Sequence, residues 1–221
     1  PIRPPFEGID SDKIYTLRNI SDMDKIVSKT RSAKSFVVVG GGFIGLEVAE
    51  NLLEAGKQVT LVELGNQLMA PVDFDIASFI HEKAEQHGLA LLLNTGVEKF
   101  ADLGDTIRVF LNNGTSIDTE AVILAIGVKP ETKLAKDAGL ETSTTGGILV
   151  NGYMQTSDPD IYAVGDAVEV EHYIHHSKVL IPLAWPANRQ GRMVADNISL
   201  GNRYTYPGSL GSRSEERRVG K

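Results

Sequence analysis

Gly40, Gly42 and Gly45 fall at the spacing G-x-G-x-x-G, and Glu63 follows 18 residues past the last of them. Residue types at this spacing point to a dinucleotide site. Gly40 permits a tight turn, Gly42 lets a pyrophosphate approach the backbone without meeting a Cβ, and Gly45 lets the next helix pack closely on the strand. The phosphates would sit at the helix N-terminus, where first-turn N–H groups and roughly half a unit of positive partial charge favour an anion. A carboxylate at Glu63 can accept hydrogen bonds from both hydroxyls of an adenosine ribose and repel a 2′-phosphate. No Arg or Lys occurs between Glu63 and Pro71, so NADH is preferred over NADPH. The competing reading is a plain βαβ turn with no ligand.

The elements around these residues favour the dinucleotide reading. Phe36-Val-Val-Val39 is an unbroken apolar run, as in a strand buried on both faces of a parallel sheet. Leu46, Val48, Ala49, Leu52, Leu53 and Ala55 then recur on a helical spacing, with Gly56 placed to end the helix. A second strand spans Val59 to Val62. Further on, a helix is expected over Asp73 to His87 with Ile76, Phe79, Ile80 and Ala84 on one face, then a strand over Leu89 to Leu93. Val97–Phe100, Ile107–Leu111 and Thr115–Ile117 read as short antiparallel strands, with Asn112-Asn-Gly114 a good hairpin turn. Ala121 to Ile126 is another buried strand, broken by Gly127 and Pro130. Before the glycine turn, an acidic helix is expected from Ser21, the candidate cap, to Ser28. The proline-rich start reads as a connection entered midway, or else as a disordered arm.

Composition bounds the possibilities. The 221 residues are 42% apolar with a net charge of −7 and no cysteine. That charge argues against sequence-independent nucleic-acid binding, which needs a basic surface. The missing cysteines exclude disulfides, thiolate zinc and a redox dithiol within these residues. No apolar run approaches the roughly 20 residues that span a bilayer, so no membrane partner is expected and a cytoplasmic setting is the default. His81 and His87 have no acid or histidine at metal spacing and read as exposed or capping residues. His172, His175 and His176 are closer together but lie in polar surroundings, and no metal site is expected.

A second constellation lies at Thr156-Ser-Asp-Pro-Asp-Ile-Tyr-Ala-Val-Gly-Asp166. Ile161 to Val164 should form a short buried strand, and Gly165 would let the chain turn at its end. Asp166 then stands at a strand's carboxyl end, where open α/β sheets bind ligands, and could hold a sugar-alcohol hydroxyl. Beyond it a helix is expected over Ala187 to Leu200, with Met193, Val194, Ile198 and Leu200 on its apolar side and the single Trp185 as a packing residue.

Taken in order, VVVGGGFIGLEVAENL, ILAIGVKPET, TSDPDIYAVGD and PLAWPANRQGR resemble the FAD- and NAD(P)-dependent pyridine nucleotide-disulfide oxidoreductases, and most nearly their coenzyme A-disulfide reductase, NADH oxidase and NADH peroxidase branch. The resemblance covers residues 1 to about 211 and implies an α/β fold. In it a Rossmann-like NAD domain, with a parallel sheet and an antiparallel β-meander, is inserted in an incomplete FAD domain. Residues 1–30 would leave the FAD domain, 31–145 form the NAD domain and 146–212 return to FAD. It also implies FAD and NADH as cofactors. Gly40, Gly41, Gly42, Phe43, Ile44, Gly45, Glu63 and Gly127 are then expected at the NADH site, and Gly165, Asp166, Leu183, Ala184 and Trp185 at the flavin. Phe43 matches an aromatic gate over the nicotinamide pocket, and Glu47 a carboxylate beside nicotinamide and flavin. The implied reaction passes hydride from NADH to FAD and on to a disulfide, polysulfide, oxygen or peroxide. The alternatives are a cysteine-free NAD-binding module without flavin, or a ferredoxin- or rubredoxin-reducing flavoprotein.

The family's first FAD-binding glycine motif, its redox cysteine and its dimerisation domain are not among these residues. The resemblance therefore implies an internal, inactive piece of a homodimeric enzyme. Residues 213–221 resemble a translated sequencing adapter and are expected to be non-native.

Overall fold

The computed structural model describes residues 1–211; the expectation for 213–221 lies outside them. The chain divides into two compact units, Pro1–Val128 and the residues from Lys129 on. This break falls short of residue 145, because helix α4 (Lys133–Asp137) buries Ala135 in the second unit's core and Glu141 takes part in that unit's backbone hydrogen bonding.

The first unit is built on five parallel strands in the order β1-β8-β2-β3-β4. These are β1 (Ile14–Thr16), β2 (Ser35–Val39), β3 (Gln58–Val62), β4 (Ala90–Leu92) and β8 (Ala121–Leu124). The apolar run of β2 is buried on both faces, as expected. Phe36 and Val38 join a cluster with Ala49 and Leu52 of α2 (Phe43–Glu54) and with residues of α1 (Ile20–Ser32) and α3 (Phe74–Gln86). Val37 and Val39 alternate onto the other face. There they meet Phe100, Ile107, Val109 and Leu111 of the antiparallel meander β5 (Val97–Asp102), β6 (Ile107–Leu111) and β7 (Ser116–Thr119). The Asn112-Asn-Gly114 hairpin forms, with Gly114 at φ +81°. The parallel sheet thus lies between helices and a meander.

Residues before the glycine turn belong to this unit. β1 pairs with β8, and Ile2 N–H donates to the Gly127 carbonyl at 3.0 Å. Lys13 Nζ reaches Asp102 Oδ2 at 2.8 Å, tying the loop before β1 to the meander. That bond, followed by those from Gly104 N–H and the Ser11 hydroxyl, lowers the Asp102 carboxyl from 3.8 to about 2. Glu120 Oε2 accepts from the N–H groups of Lys34 (2.7 Å) and Ser35 (3.1 Å), anchoring the start of β2. The Lys34 bond is the main reason its carboxyl lies below the usual range.

Several expectations need correcting. α1 is capped by Asn19, whose side chain accepts from Asp22 N–H, and not by Ser21, which lies inside the helix. In α3 only Ala77 is buried, with Ile80 and Ala84 partly buried beside it. Ile76 and Phe79 are exposed and line an open groove of about 660 Å³ with Leu46 and Leu53 of α2.

The second unit pairs β9 (Ile148–Leu149), β10 (Val168–Glu171) and β11 (Lys178–Leu180), and its last helix is α5 (Ala184–Leu200). Ile161 to Val164 is extended but is not the buried strand expected. Ile161 and Val164 are each 38% exposed, and Tyr162 makes a single bridge to Gln155. Ala163 N–H donates to the Met154 carbonyl at 3.0 Å, and the Tyr162 hydroxyl to Asn202 Oδ1 at 2.9 Å. α5 starts three residues earlier than expected. Its inward face carries Gln190, Val194 and Asn197, whereas Ile198 and Leu200 are exposed. Asn197 earns its place by bonding the backbone of Arg203 and Tyr204.

Candidate dinucleotide site

In the first unit, β2 is flanked by β3 on one side and β8 on the other, so strand order reverses between β2 and β8. Open α/β sheets bind ligands outside the carboxyl ends of their strands at such a switch point. The glycine turn lies there. Gly40 has φ +107°, and a Cβ on it would come 2.5 Å from the Ala125 carbonyl oxygen that follows β8. A Cβ on Gly45 would meet the Gly40 carbonyl oxygen at 1.9 Å, so α2 starts directly against the turn. Gly42 caps that helix and has nothing within 4 Å of an added Cβ. Two of the glycines are therefore required by the protein's own packing. The third faces open space at a helix N-terminus, where an anion can approach.

Glu63 connects the end of β3 to this turn. Its Oε2 accepts from Gly41 N–H and its Oε1 from Gly65 N–H, both at 2.6 Å. Its backbone is held as well, by Leu92 O and Thr95 N–H, each at 2.9 Å. A carboxylate has about four acceptor positions, so two engaged N–H groups leave capacity for two hydroxyls. The half-buried side chain thus stands beside the glycine turn with lone pairs to spare, an arrangement that fits an adenosine ribose.

The segment after Glu63 folds back over the turn. Met69 adopts φ +53° and its N–H donates to the Gly41 carbonyl at 2.8 Å. Leu68 is fully buried, with Cδ2 2.5 Å from where a Gly41 Cβ would lie. Leu68 N–H donates to His81 Nε2 at 2.9 Å. His81 is therefore half-buried and engaged, not simply exposed. His87 is the C-cap of α3, in line with the capping expectation. Leu68, Met69 and His81 were not among the expected site residues. Their only sequence signal is an apolar pair close after Glu63 and a histidine on the next helix.

Phe43 and Glu47 are half-buried and one helical turn apart on α2, while Ile44 between them is 38% exposed. Gly127, at φ +114°, lies exposed beyond β8 on the same carboxyl side of the sheet.

The remaining candidates lie in the second unit. Gly165, at φ +82°, opens a short 3₁₀ turn that carries the exposed Asp166. Gly165 N–H donates to the buried Gln190 Oε1 at 2.7 Å, which sets this turn beside the first part of α5. Leu183 is the N-cap of that helix and Ala184 its first residue. Trp185 follows at 78% exposure, so it is not the packing residue expected: it lies off the stripe of Gln190, Val194 and Asn197. Gly165, Asp166, Leu183, Ala184 and Trp185 are thus gathered at one end of α5. Among the histidines, His172 stacks on His175 with ring centroids 4.7 Å apart, and His176 pairs with Glu171. No cluster among the described residues could hold a metal ion, and none of their helices is long and apolar enough to cross a membrane.

The sequence profile of the pyridine nucleotide-disulphide oxidoreductases matches residues 1–191. The chain belongs to this family. An NADH oxidase of Enterococcus faecalis is 37% identical over 214 residues, which cover 96% of this chain and 48% of that protein. The crystal structure of the reduced CoADR-RHD of Bacillus anthracis is similar at a TM-score of 0.91 and 46% identity, over 96% of this chain and 38% of that one. A water-forming NADH oxidase from Lactobacillus brevis, bound to NADH, gives a TM-score of 0.91 at 33% identity, over 96% and 47% of the two chains. The chain spans about half the length of the curated relatives it matches.

Proposed function

We propose that this chain carries the NADH site of an FAD-dependent oxidoreductase, in which hydride passes from NADH to FAD and on to a small disulfide, polysulfide, oxygen or peroxide acceptor. The observation that carries this reading is the Glu63 carboxylate hydrogen-bonded to Gly41 N–H inside the glycine turn. That contact puts an acceptor for ribose hydroxyls and an open anion-binding helix end in one place, at the switch point of a parallel sheet. In this reading Gly40 to Gly45 hold the pyrophosphate and Glu63 the adenosine ribose, Gly127 lines the cleft, and Phe43 and Glu47 position and cover the nicotinamide. NADH supplies the hydride. Asp166 holds the ribityl chain of FAD, with Gly165, Leu183, Ala184 and Trp185 beside the flavin. Membership of the family, and the likeness to an NADH-bound NADH oxidase and to a CoADR-RHD, support both the cofactors and the range of acceptors. The longer protein would act as a homodimer in the cytoplasm.

The test is a fluorescence titration of the purified 221-residue chain with NADH and NADPH. Saturable binding that favours NADH at least tenfold is expected. Absence of binding to either nucleotide at millimolar concentration would overturn the proposal. In the full-length protein, anaerobic NADH should bleach the flavin absorbance, and a colourless protein would exclude the flavin half of the reading.

A further inference from the structure

His81 lies on α3, outside every motif that points to the nucleotide, yet it is bonded to the segment that encloses the glycine turn. Its Nε2 accepts from Leu68 N–H at 2.9 Å. A nitrogen that accepts carries no proton, so this bond requires the neutral tautomer protonated on Nδ1. The Phe74 ring stands edge-on to it, centroids 6.2 Å apart at 76°. On either side of Leu68, the chain reaches both polar groups of one glycine. Met69 N–H holds the Gly41 carbonyl at 2.8 Å, and Glu63 Oε2 holds the Gly41 N–H at 2.6 Å. The buried Leu68 side chain fills the space where Gly41 has no Cβ.

Within the segment, Val72 N–H donates to the Met69 carbonyl at 2.9 Å and Gln67 Nε2 to the Val72 carbonyl at 2.8 Å; His81 adds a bond from outside it. Met69 is in the left-handed region, which a residue with a Cβ keeps only where its surroundings enforce it. His81 supplies an enforcing bond from a neighbouring helix.

We propose that His81 is a positioning residue of the NADH site: its Nε2, by holding Leu68 N–H, fixes the segment from Glu63 to Val72 against the glycine turn and so sets the Glu63 carboxylate for the adenosine ribose. This rests on the NADH reading above. The part of the ligand it governs is the adenosine diphosphoribose half, not the nicotinamide.

The experiment measures dissociation constants of the 221-residue chain for NADH and for ADP-ribose, well below the thermal midpoint of each variant. His81→Phe keeps a ring against Phe74 and removes the acceptor. It should weaken both ligands by the same factor, roughly fivefold, the effect of one neutral hydrogen bond. His81→Gln restores an acceptor and should recover most of that loss. A residue that served stability alone would lower the midpoint and leave both constants unchanged, and that result overturns the proposal. So does a loss confined to NADH, or a Gln variant no better than Phe. Should the variants fail to fold, amide exchange in the unaltered chain decides: slow exchange at Leu68 is expected, and exchange at the rate of an open loop overturns the inference. An unaltered chain that binds neither ligand refutes the NADH reading itself. One that binds both while His81→Phe binds equally well refutes only the role of His81.

Discussion

Glu63→Gln is the perturbation that separates a carboxylate built into the site from one that merely lies near it. Both oxygens accept from backbone N–H groups, Oε2 from Gly41 and Oε1 from Gly65, at 2.6 Å each. An amide has one oxygen and one NH₂, so whichever way it is turned, one of these N–H groups faces another donor. One charge-assisted bond is then lost and the other becomes neutral. In a fully buried setting that change costs about 2 to 4 kcal/mol. The side chain is half-exposed and Gly65 is exposed, so water takes over part of the loss, and about 1 to 2 kcal/mol of chain stability is expected. For a chain of this length that corresponds to a fall of roughly 2 to 8 °C in the thermal midpoint.

The ligand should register the change more strongly. Ribose hydroxyls that donated to a carboxylate meet at most one free lone-pair site on the amide oxygen, and a loss of about 1.5 to 3 kcal/mol is roughly ten- to a hundredfold in the NADH dissociation constant. The preference for NADH over NADPH should narrow as well, because the repulsion of a 2′-phosphate disappears with the charge. Calorimetric unfolding and nucleotide titration of the same preparation measure the two effects together. A Gln variant as stable as the unaltered chain, with unchanged NADH affinity, would refute the argument that both carboxylate oxygens are used.

Two other perturbations test parts of the structure outside the nucleotide turn. The Asp102 carboxyl, lowered to about 2 chiefly by Lys13, contributes stability that is fully present above its ordinary value of 3.8 and is lost as pH falls toward 2. Denaturant midpoints of the unaltered chain and of Asp102→Asn should therefore differ by a constant amount above about pH 5 and draw together as pH falls from about 4 through about 2; a gap undiminished at about pH 2 contradicts this source. In the second unit, Gln190→Leu leaves Gly165 N–H without the acceptor it has at 2.7 Å. A loss of about 1 to 3 kcal/mol is expected, with faster amide exchange at Gly165, and unchanged exchange there would show that Gln190 does not hold the Asp166 turn.

Where residue type alone decides conformation, the fold was legible before any coordinates. A run such as Phe36 to Val39 has no polar face to offer water, so it is buried on both sides. Asn112-Asn-Gly114 supplies the turn chemistry that a hairpin needs. The misreadings share a cause. They assigned apolar residues inward and polar ones outward, yet α5 buries Gln190 and Asn197 and exposes Trp185, Ile198 and Leu200. A buried amide is stable when backbone groups satisfy it, and those groups lie far along the chain: Gly165 for Gln190, Arg203 and Tyr204 for Asn197. Helical periodicity carries no information about such partners. Ser21 lost the cap of α1 to Asn19 for a related reason. Both residue types can cap, and only the geometry shows whose oxygen reaches Asp22 N–H.

The nucleotide turn shows the same division more sharply. Spacing placed Glu63 at the tip of the second strand and gave it one partner, a ligand. The structure gives its carboxylate two partners within the protein, and ties one of them, Gly41, through Met69 and Leu68 to a histidine on another helix. A carboxylate held only by its ligand would lose rotamer freedom on binding, at a cost of up to about 2 kcal/mol. Glu63 has already lost it on folding. If Glu63 holds the ribose as proposed, its hydrogen bonds to Gly41 and Gly65 would serve recognition by preorganisation, contributing affinity without touching the nucleotide. On this proposal a side chain as distant in the sequence as His81 would belong to the site, and no motif could have named it.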